Sequence, residues 1–473
     1  MAVPKFMNKR TKIICTIGPA SASASILESM MRAGMDVARL NFSHATYADH
    51  KSLIRLIRTA SKKAKKDVAL LGDLQGPKIR LGELPQEGVE LMNGSEVILT
   101  TATSRFAAES IPVTYKNLHK DLKAGDRVLI DDGILELQVK QIVGKHIHTL
   151  VVNGGIVSSH KGMNFPDSTL HVSAFTKKDR EDTLFAIEHG VEWIALSFVT
   201  GPKEILLLKR LIKQYTPKGI APARVIVKIE KHEAITRFDE ILSVTDAVMI
   251  ARGDLGVEIN AQEVPIRQKE MIEKCRQAGK PVVVATQMLD SMIRNPRPTR
   301  AEVSDVANAV FDHTDAVMLS GESATGKFPL KAVKMMASII KEAEASVFDD
   351  VSLFVDTSQE PVTASSQSIK LLTIEQTIDG VLASSVLAPW SEMVLKTRPE
   401  IPLFIAVSSE REARQLSIRW GVCPFVLKRQ EEKSFVRLAT AKLQKDRLIK
   451  KKMRLAVILG QQHGGGFDLV TVG

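Results

Sequence analysis

Short apolar runs rich in β-branched residues recur along the chain and alternate with segments of helical periodicity. Near-continuous apolar strands separated by helices are typical of a parallel sheet that is covered on both faces. The runs are TKIICTIG (11–18), VARLNFS (37–43), VALLGDL (68–74), WIALSF (193–198), RVIVKIE (224–230), AVMIAR (247–252), PVVVATQ (281–287) and AVMLSG (316–321). Eight strand–helix units of this kind predict an α/β fold, a closed (β/α)8 TIM barrel.

One connection is much longer than the others. It runs from the third strand, which ends near Leu74, to a helix that begins near Thr176, and it alternates apolar with polar residues, as in DRVLIDDGILELQVKQIVGKHIHTLVVNGG. Such alternation predicts antiparallel strands. Because the insertion follows the C-terminal end of a strand, we expect a small β-barrel lid, residues 76–171, over the mouth of a barrel formed by residues 1–75 and 172–345.

The pattern changes again near residue 345. Residues 351–368 have the composition of a linker, and the chain beyond them alternates helices with strands such as PLFIAVS. This alternation predicts a separate C-terminal α/β domain, residues 346–473, which we expect to be regulatory.

The composition is that of an ordinary globular protein, with 44% hydrophobic and 25% charged residues among 473. Three widely spaced cysteines, Cys15, Cys275 and Cys423, fit neither a disulfide framework nor a paired metal site. No apolar run reaches the roughly 18 to 20 residues of a membrane helix, and the start MAVPKFMNKR lacks the apolar core of a signal peptide. We therefore expect a cytoplasmic protein with no membrane partner.

The net charge of +11 favours anionic partners. Part of the excess lies in residues 441–454, AKLQKDRLIKKKMR, which are read most simply as a solvated surface. With only three Tyr and three Trp there is little material for base stacking, so a nucleic-acid partner is not expected. A salt-sensitive RNA contact through residues 441–454 stays open as an alternative.

Polar residues fall at the C-terminal ends of six predicted strands. In a (β/α)8 barrel this is the face that carries the catalytic groups. The residues are Arg39, Asn41, Ser43, Asp73, Lys228, Glu230, Arg252, Gly253, Asp254, Thr286 and Ser320.

The residue types in this set suit one kind of ligand. The carboxylates of Glu230 and Asp254 suit a hard divalent ion, which takes one or two protein carboxylates and completes its shell with other oxygens. The cations Arg39, Arg80 and Lys228 suit phosphate and developing anionic oxygen. The stretch GDLGVE offers backbone N–H groups in a glycine-relaxed loop. The set therefore predicts a site for a phosphorylated carboxylate and magnesium.

Each residue also has a simpler reading on its own. Lys228 and Glu230 share a face of one strand and could form a plain ion pair. Asp254 could cap the turn that follows it, and hydroxyls at strand ends often satisfy backbone groups. The functional interpretation depends on the occurrence of polar residues at the C-terminal ends of six different strands.

These residues lie in segments that closely resemble the pyruvate kinase family along nearly the whole chain. The segments are TKIICTIGPAS, GMDVARLNFSH, GDLQGPKIR, VKIEKHEA, ARGDLGVEI, ATQMLDSMIRNPRPTRAEVSDVANAV and DAVMLSGESATGKFP. The resemblance implies transfer of the phosphoryl group of phosphoenolpyruvate to ADP, giving pyruvate and ATP, usually by a homotetramer. Two alternatives stay open: another Mg2+-dependent barrel enzyme acting on phosphoenolpyruvate or a keto acid, and a catalytically silent regulator of the same fold.

The resemblance also implies roles in catalysis and substrate binding. Glu230 and Asp254 would hold Mg2+ or Mn2+, and Lys228 would neutralise the transferring phosphoryl group and the enolate oxygen left behind. The other implied roles are carboxylate binding by Gly253, Asp254 and Thr286, phosphate binding by Arg39, enolate protonation through Ser320 and Thr286, and nucleotide binding by Asn41, His44, Arg80 and Lys161.

One departure from the family pattern concerns K+. Many members bind K+ through residues matching Asn41, Ser43, Asp73 and the carbonyl of Leu74, and read DTKGPEIR where this chain reads DLQGPKIR. The Glu is thus replaced by Lys78, whose ammonium could do the electrostatic work of a monovalent cation. We predict that K+ is not required. In the alternative reading, Lys78 points into solvent and K+ still binds.

A second departure lies in the C-terminal domain. Members activated by fructose 1,6-bisphosphate have a phosphate loop rich in Ser, Thr and Gly, whereas this chain reads SVLAPW (385–390), where Pro389 lacks an N–H. We therefore expect that this bisphosphate is not the activator. AMP or a sugar monophosphate is a weaker expectation, which follows from the resemblance of GDLQGPKIR to members that respond to such ligands.

Overall fold

The computed structural model describes residues 9–107, 110–349, 361–458 and 466–473. Eight parallel strands close into a barrel in which each strand pairs with the next along the chain and the eighth pairs with the first. Numbered along the chain, the barrel strands are Lys12–Thr16, Met35–Asn41, Ala69–Asp73, Trp193–Leu196, Arg224–Ile229, Ala247–Ala251, Val282–Ala285 and Ala316–Leu319. The predicted (β/α)8 barrel is confirmed.

Alternation along each strand divides the apolar residues between two layers. Ile14 and Trp193 belong to the cluster inside the barrel, whereas Ile13 and Cys15 pack between strands and helices. The α-helices of the barrel are Ala24–Ala33, Tyr47–Ala64, Lys177–Glu188, Pro202–Tyr215, His232–Thr236, Phe238–Val244, Arg252–Glu258, Val264–Gln277, Arg300–Phe311, Gly321–Ala324 and Pro329–Glu344, with 3-10 turns at Ala261–Glu263 and Asp290–Ile293.

The segment GDLGVE corrects one sequence prediction. It was expected to form a relaxed loop, but Arg252–Glu258 is a short α-helix that follows the sixth barrel strand at once. Leu255 and Glu258 are buried on its inner side, so packing outweighs the weak helix propensity of the two glycines.

The long insertion is a β structure with its own core, which includes Leu99, Val128 and Phe165. Six of its strands form one sheet, and single bridges from Arg80 to Gly162 and from Leu81 to Val113 join the two edges of that sheet into a small barrel. The strands are Val89–Leu91, Glu96–Thr100, Ser110–Pro112, Arg127–Ile130, Leu135–Val143, His146–Asn153, Gly155–Val157 and Met163–Asn164, with one helical turn at Leu118–Asp121.

The C-terminal α/β unit is a five-stranded sheet with helices, and its last strand runs antiparallel. Its strands are Gly380–Ser384, Leu403–Val407, Val422–Val426, Arg454–Ile458 and Asp468–Thr471; its helices are Pro361–Ile374, Glu410–Leu416 and Glu432–Lys445, with a 3-10 segment at Pro389–Thr397. The domain limits given from the sequence stay predictions.

The expected linker, residues 351–368, is corrected in part. Residues 351–360 lie outside the described residues, but residues 361–368 belong to the helix Pro361–Ile374. Ile369 in that helix is fully buried in the core of the C-terminal unit, so the small polar residues before it form the first turns of a packed helix.

The C-terminal unit closes the bottom of the barrel. Ile418 is fully buried in the cluster that fills the barrel interior, and the indole N–H of Trp193 donates to the carbonyl of Gln415 at 3.1 Å. A buried ion pair joins Arg398 to Asp315 at 2.7 Å. These contacts leave the opposite end of the barrel, where the strands' C-terminal ends lie, as its open face.

In the described part of the chain, no helix is both long enough and apolar enough to cross a membrane.

The junction of the two units contains a histidine that resists protonation. Burial and the nearby cation Arg398 lower the pKa of His313 to about 3, and Lys370, Arg276 and Arg10 act in the same direction. Asp349, 3.4 Å away, has its pKa raised to about 6, mainly by burial. The folded chain therefore binds fewer protons at His313 than the unfolded chain does between about pH 3 and 6.5.

We expect the substitution His313→Asn to make the protein less sensitive to acid. Since His313 stays neutral in the fold but is protonated when unfolded, it removes stability as the pH falls from 6.5 toward 3, by at most about 1.4 kcal/mol per pH unit. Asn tolerates the positive φ of 60° at this position. Melting temperatures measured from pH 7 to pH 5 should fall less in this variant than in the parent.

The control is His146→Asn, which alters an exposed histidine on the lid surface and should leave the acid sensitivity unchanged. An equally steep fall in the His313→Asn variant and the parent would show that His313 is not the acid-sensitive group.

Candidate active site

Four charged side chains from the second, third and fifth strands meet at the mouth of the barrel. Arg39 Nε donates to Asp73 Oδ2 at 2.7 Å, and Lys228 Nζ lies 2.7 Å from Glu230 Oε1 and 3.6 Å from Asp73 Oδ1. Asp73 and Glu230 are each 1% exposed. We call Arg39, Asp73, Lys228 and Glu230 the mouth cluster.

Opposite charges in the mouth cluster keep Asp73 and Lys228 ionised. Burial would raise the pKa of Asp73, but Lys228 and Arg39 outweigh it and the pKa is lowered. Burial would likewise lower the pKa of Lys228, yet Asp73 and Glu230 reverse this and raise it. The side chain of Lys228 is therefore held in its protonated, ammonium form within the mouth cluster.

Glu230 is the member whose charge is least compensated. Burial raises the pKa of Glu230 to about 7, the charge of Asp254 adds to the rise, and Lys228 opposes it. Its Oε2 accepts the backbone N–H of Phe198 at 2.7 Å. Its Oε1 is buried and makes no aligned hydrogen bond within the described residues. The like charge of Asp254 nearby would favour a further cation at this carboxylate.

The turn after the fourth barrel strand contributes two residues that the sequence analysis did not single out. Ser197 is 1% exposed, accepts a hydrogen bond from Lys228 Nζ at 2.9 Å and donates to the carbonyl of Leu74 at 2.8 Å. Phe198 has a positive φ of 55°, which aims its N–H at Glu230. The pairing of the fourth strand with the fifth is the signal that could have identified Ser197. Leu196 pairs with Val227, so the residues that follow them, Ser197 and Lys228, lie side by side.

A second turn, after the seventh barrel strand, is also strained. Thr286 and Gln287 have φ values of 70° and 54°, and Thr286 Oγ1 accepts the backbone N–H of Gly253 at 2.7 Å. Arg252 donates to the carbonyl of Thr286 at 2.9 Å and pairs with Asp305 at 2.7 Å. The structure thus brings Thr286 and Gly253 together, and Asp254 is the residue that follows Gly253.

An open cleft of about 620 Å3 begins beside this turn and reaches the lid. Its polar lining is Lys78, Asp132, Arg252, Asp254, Gln287 and Asp305. Lys78 is exposed there, and it forms no ion pair with any residue that the structure describes.

The remaining predicted residues lie outside the mouth cluster. Asn41 ends the second strand and His44 follows it; Asn41 Oδ1 accepts the N–H of Ser43 at 3.1 Å. In the lid, Arg80 donates to the carbonyl of His160 at 2.8 Å, and Lys161 pairs with Asp131 at 2.6 Å.

Ser320 was expected to join Thr286 in a chain of hydroxyl groups. It directly follows the eighth strand, and its N–H donates to Glu322 Oε2 at 2.7 Å. Within the described residues no hydrogen bond links its hydroxyl to Thr286, so the chain of hydroxyl groups stays a prediction.

Comparisons with known proteins identify this arrangement. Residues 8–333 match the family described as pyruvate kinase, barrel domain, and residues 389–472 match pyruvate kinase, alpha/beta domain. The chain belongs to the pyruvate kinase family. It is 43% identical over 428 residues to the pyruvate kinase of Sporosarcina psychrophila, covering 89% of this chain and 72% of that one.

Two further relatives extend the match. The pyruvate kinase of Staphylococcus aureus strain MRSA252 is 40% identical over 472 residues, 98% of this chain and 78% of that one. A crystal structure of a pyruvate kinase from Cryptosporidium parvum superposes with a TM-score of 0.92 at 34% identity, covering 100% of this chain and 98% of that one.

As a pyruvate kinase family member, the chain is a phosphotransferase that transfers the phosphoryl group of phosphoenolpyruvate to ADP. The family works with Mg2+ in general, and the described residues fit this ion. They contain no group of three or more His, Cys, Asp or Glu arranged as a complete metal site. Glu230 and Asp254 offer two hard oxygen ligands, which substrate oxygens and water would complete.

Gly76 allows the Ser197–Phe198 turn to approach the GDLQGPKIR segment. Its φ is +66°, and a Cβ atom there would lie 2.8 Å from the Phe198 ring and 3.1 Å from Ser197 Cβ. Gly76→Ala should therefore displace the turn that holds Lys228 and Glu230. We expect a destabilisation about 1 to 3 kcal/mol greater than the backbone strain alone would cause, and a fall in kcat of at least about tenfold.

The matched control is Gly144→Ala, because Gly144 has a similar φ of +60° but nothing within 4 Å of its Cβ position. Melting temperature and kcat would be measured for both variants. Equal effects in the two variants would mean that the contact with Phe198 and Ser197 is unimportant.

Proposed function

We propose that the mouth cluster and the Thr286 turn carry out the phosphoryl transfer of this pyruvate kinase family member. The carrying observation is the buried ammonium of Lys228, which lies 3.6 Å from Asp73 Oδ1 and 2.7 Å from Glu230 Oε1. In this proposal Glu230 and Asp254 hold Mg2+, which would neutralise phosphoryl oxygens and help to position the substrates.

Lys228 would stabilise charge in the transition state. Phosphoryl transfer depends chiefly on positioning and charge stabilisation, and a fixed ammonium needs no reorganisation as charge develops on the phosphoryl group and the enolate oxygen. Arg39 would bind the phosphate. Its hydrogen bonds to Asp73 and Thr16 use two of the five N–H donors of a guanidinium.

The carboxylate of phosphoenolpyruvate would lie at the start of the helix Arg252–Glu258. There the N–H groups of Gly253 and Asp254 and the hydroxyl of Thr286 would bind it. The hydrogen bond from Gly253 to Thr286 supports this proposal, because it joins two of these three groups. Ser320 and Thr286 would take part in protonation of the enolate.

The nucleotide would bind between barrel and lid. Arg80 and Lys161 from the lid, with Asn41 and His44 from the barrel, would surround its phosphates. Lys161 would exchange its partner Asp131 for a phosphate oxygen, a favourable exchange because charge-assisted bonds to phosphate are strong.

We further propose that Lys78 replaces K+. The monovalent-cation region consists of Asn41, Ser43, Asp73 and the carbonyl of Leu74. Asp73 is already bonded to two cations of the mouth cluster, which disfavours another cation there. Lys78 lines the cleft together with Asp254, so its charge lies on the side where the substrates would bind.

The first experiment measures the initial rate of pyruvate formation from phosphoenolpyruvate, ADP and Mg2+ in potassium-free buffer. We expect a robust rate that K+ changes by less than about threefold, whereas Lys78→Glu should be slow without K+ and rise at least about tenfold when K+ is added. Lys145→Glu, a charge reversal in a lid turn far from the cleft, is the control.

The outcomes separate the two proposals. Strong activation of the parent by K+ would contradict the role of Lys78 and leave the reaction intact. No rate with or without K+ would contradict the proposed catalytic site itself.

Fructose 1,6-bisphosphate is proposed not to be the activator. In the loop after the strand Gly380–Ser384, the N–H groups of Val386 and Leu387 donate to the buried hydroxyl of Ser384 at 3.1 and 2.9 Å. The loop thus satisfies two donors that a phosphate would need. The side chains of Pro389 and Trp390 lie outside the described residues.

We expect the saturation curve for phosphoenolpyruvate to stay unchanged when micromolar fructose 1,6-bisphosphate is added. AMP and a sugar monophosphate, tested in parallel, serve as comparison effectors and as a check that the assay detects activation. A shift of the curve to lower substrate concentration with the bisphosphate would overturn the proposal. Homotetrameric assembly, a cytoplasmic location and the absence of a nucleic-acid partner stay predictions.

A further inference from the structure

We infer that Ser197 is a positioning residue for the catalytic ammonium of Lys228. Its hydroxyl is the one uncharged side-chain group bonded to that ammonium among the described residues. The inference rests on the catalytic role proposed for Lys228, and its test is designed so that either can fail separately.

The direction of both hydrogen bonds of Ser197 is fixed by chemistry. An ammonium can only donate, so the Ser197 hydroxyl must accept from Lys228 and use its single proton elsewhere. The shorter of its two remaining contacts is the carbonyl of Leu74 at 2.8 Å, compared with 3.5 Å to Asp73 Oδ1. The hydroxyl is therefore locked between a backbone carbonyl of the third strand and the lysine of the fifth.

Ser197 differs from the other partners of Lys228 in its charge. Asp73 and Glu230 compensate the ammonium, but a carboxylate also competes with an anionic substrate for it. A neutral hydroxyl can fix the direction of the ammonium and leave its charge available. This matters most when Glu230 serves as a metal ligand and is less able to hold Lys228.

The surroundings of Ser197 leave it little freedom to move. It is 1% exposed, and Gly76 approaches its Cβ so closely that no side chain fits between them. The next residue, Phe198, is fixed by its bond to Glu230. One turn thus sets the position of both Lys228 and Glu230.

The test compares full-length variants in steady-state assays with phosphoenolpyruvate, ADP and Mg2+. Ser197→Ala should lower kcat about 10- to 100-fold, the size expected for a lost hydrogen bond to a charged group. The KM for phosphoenolpyruvate should change by less than about threefold, because the substrate contacts remain. Ser197→Thr, which keeps the hydroxyl, should restore kcat to within about fivefold of the parent.

Thr245→Val is the matched control for stability. Thr245 is also buried and donates to a backbone carbonyl, that of Ala247 at 2.9 Å, but it precedes the sixth strand at the opposite end of the barrel. It should lower the melting temperature about as much as Ser197→Ala does, with kcat unchanged within about twofold.

A kcat within threefold of the parent in Ser197→Ala, or a Ser197→Thr variant that folds but is as slow as Ser197→Ala, would overturn the inference. If Ser197→Ala does not fold, Ser197→Cys decides, because a thiol keeps the shape but accepts weakly; it should be slow, and full activity would overturn the inference. Full activity of Lys228→Met would overturn the role of Lys228, whereas an inactive Lys228→Met with a fully active Ser197→Ala would overturn only the role of Ser197.

Discussion

The compensation of buried charge at the barrel mouth is the constraint on which the active site depends. An unpaired ammonium or carboxylate would not stay ionised at this depth. Lys228 and Asp73 stay charged because each lies within reach of an opposite charge supplied by another barrel strand. The site therefore exists only when the second, third and fifth strands are in register, and the closed barrel sets that register.

The two ends of the barrel are fixed in different ways. At the bottom, the buried side chain of Ile418 and the ion pair of Arg398 with Asp315 attach the C-terminal unit through contacts without solvent access. At the mouth, the lid contacts the barrel through polar groups, such as the hydrogen bond of 2.8 Å from Asn164 to Glu258. Buried contacts resist separation more than half-exposed polar ones do.

The fold and the main site were predictable because both leave a clear pattern of apolar and charged residues along the sequence. Strands buried on both faces are near-continuously apolar, and charged residues such as Lys228 and Glu230 interrupt that pattern visibly. Two strands of the C-terminal unit were missed for physical reasons. Val422–Val426 contains Pro424, which argues against a strand but is tolerated here at the edge of the sheet. Asp468–Thr471 is short and largely exposed, so it lacks an apolar signal.

Residues whose role depends on their position and backbone conformation in the fold were harder to predict. A serine at a strand end usually satisfies backbone groups, and Ser197 does so through Leu74 as well as accepting from Lys228. Only the pairing of the fourth strand with the fifth, which puts Ser197 beside Lys228, distinguishes a residue that positions the lysine from one that only satisfies backbone groups. The positive φ of Phe198 and Thr286 likewise has no signature in residue type, since both turns are imposed by the contacts around them. Such strain persists only where surrounding structure over-determines it.

The proposed use of Lys78 in place of K+ would change how the site responds to its surroundings. Occupancy of an ion site follows the ion concentration, whereas an ammonium on the chain is present in every molecule. A tethered charge also costs less ordering entropy on binding, because it is already near its place. The disadvantage is that the ammonium of Lys78, unlike K+, cannot dissociate when the charge of Mg2+ or Lys228 makes further positive charge unfavourable. Lys78 lies outside the mouth cluster, in the open cleft that Asp254 also lines, where solvent would screen that repulsion most easily.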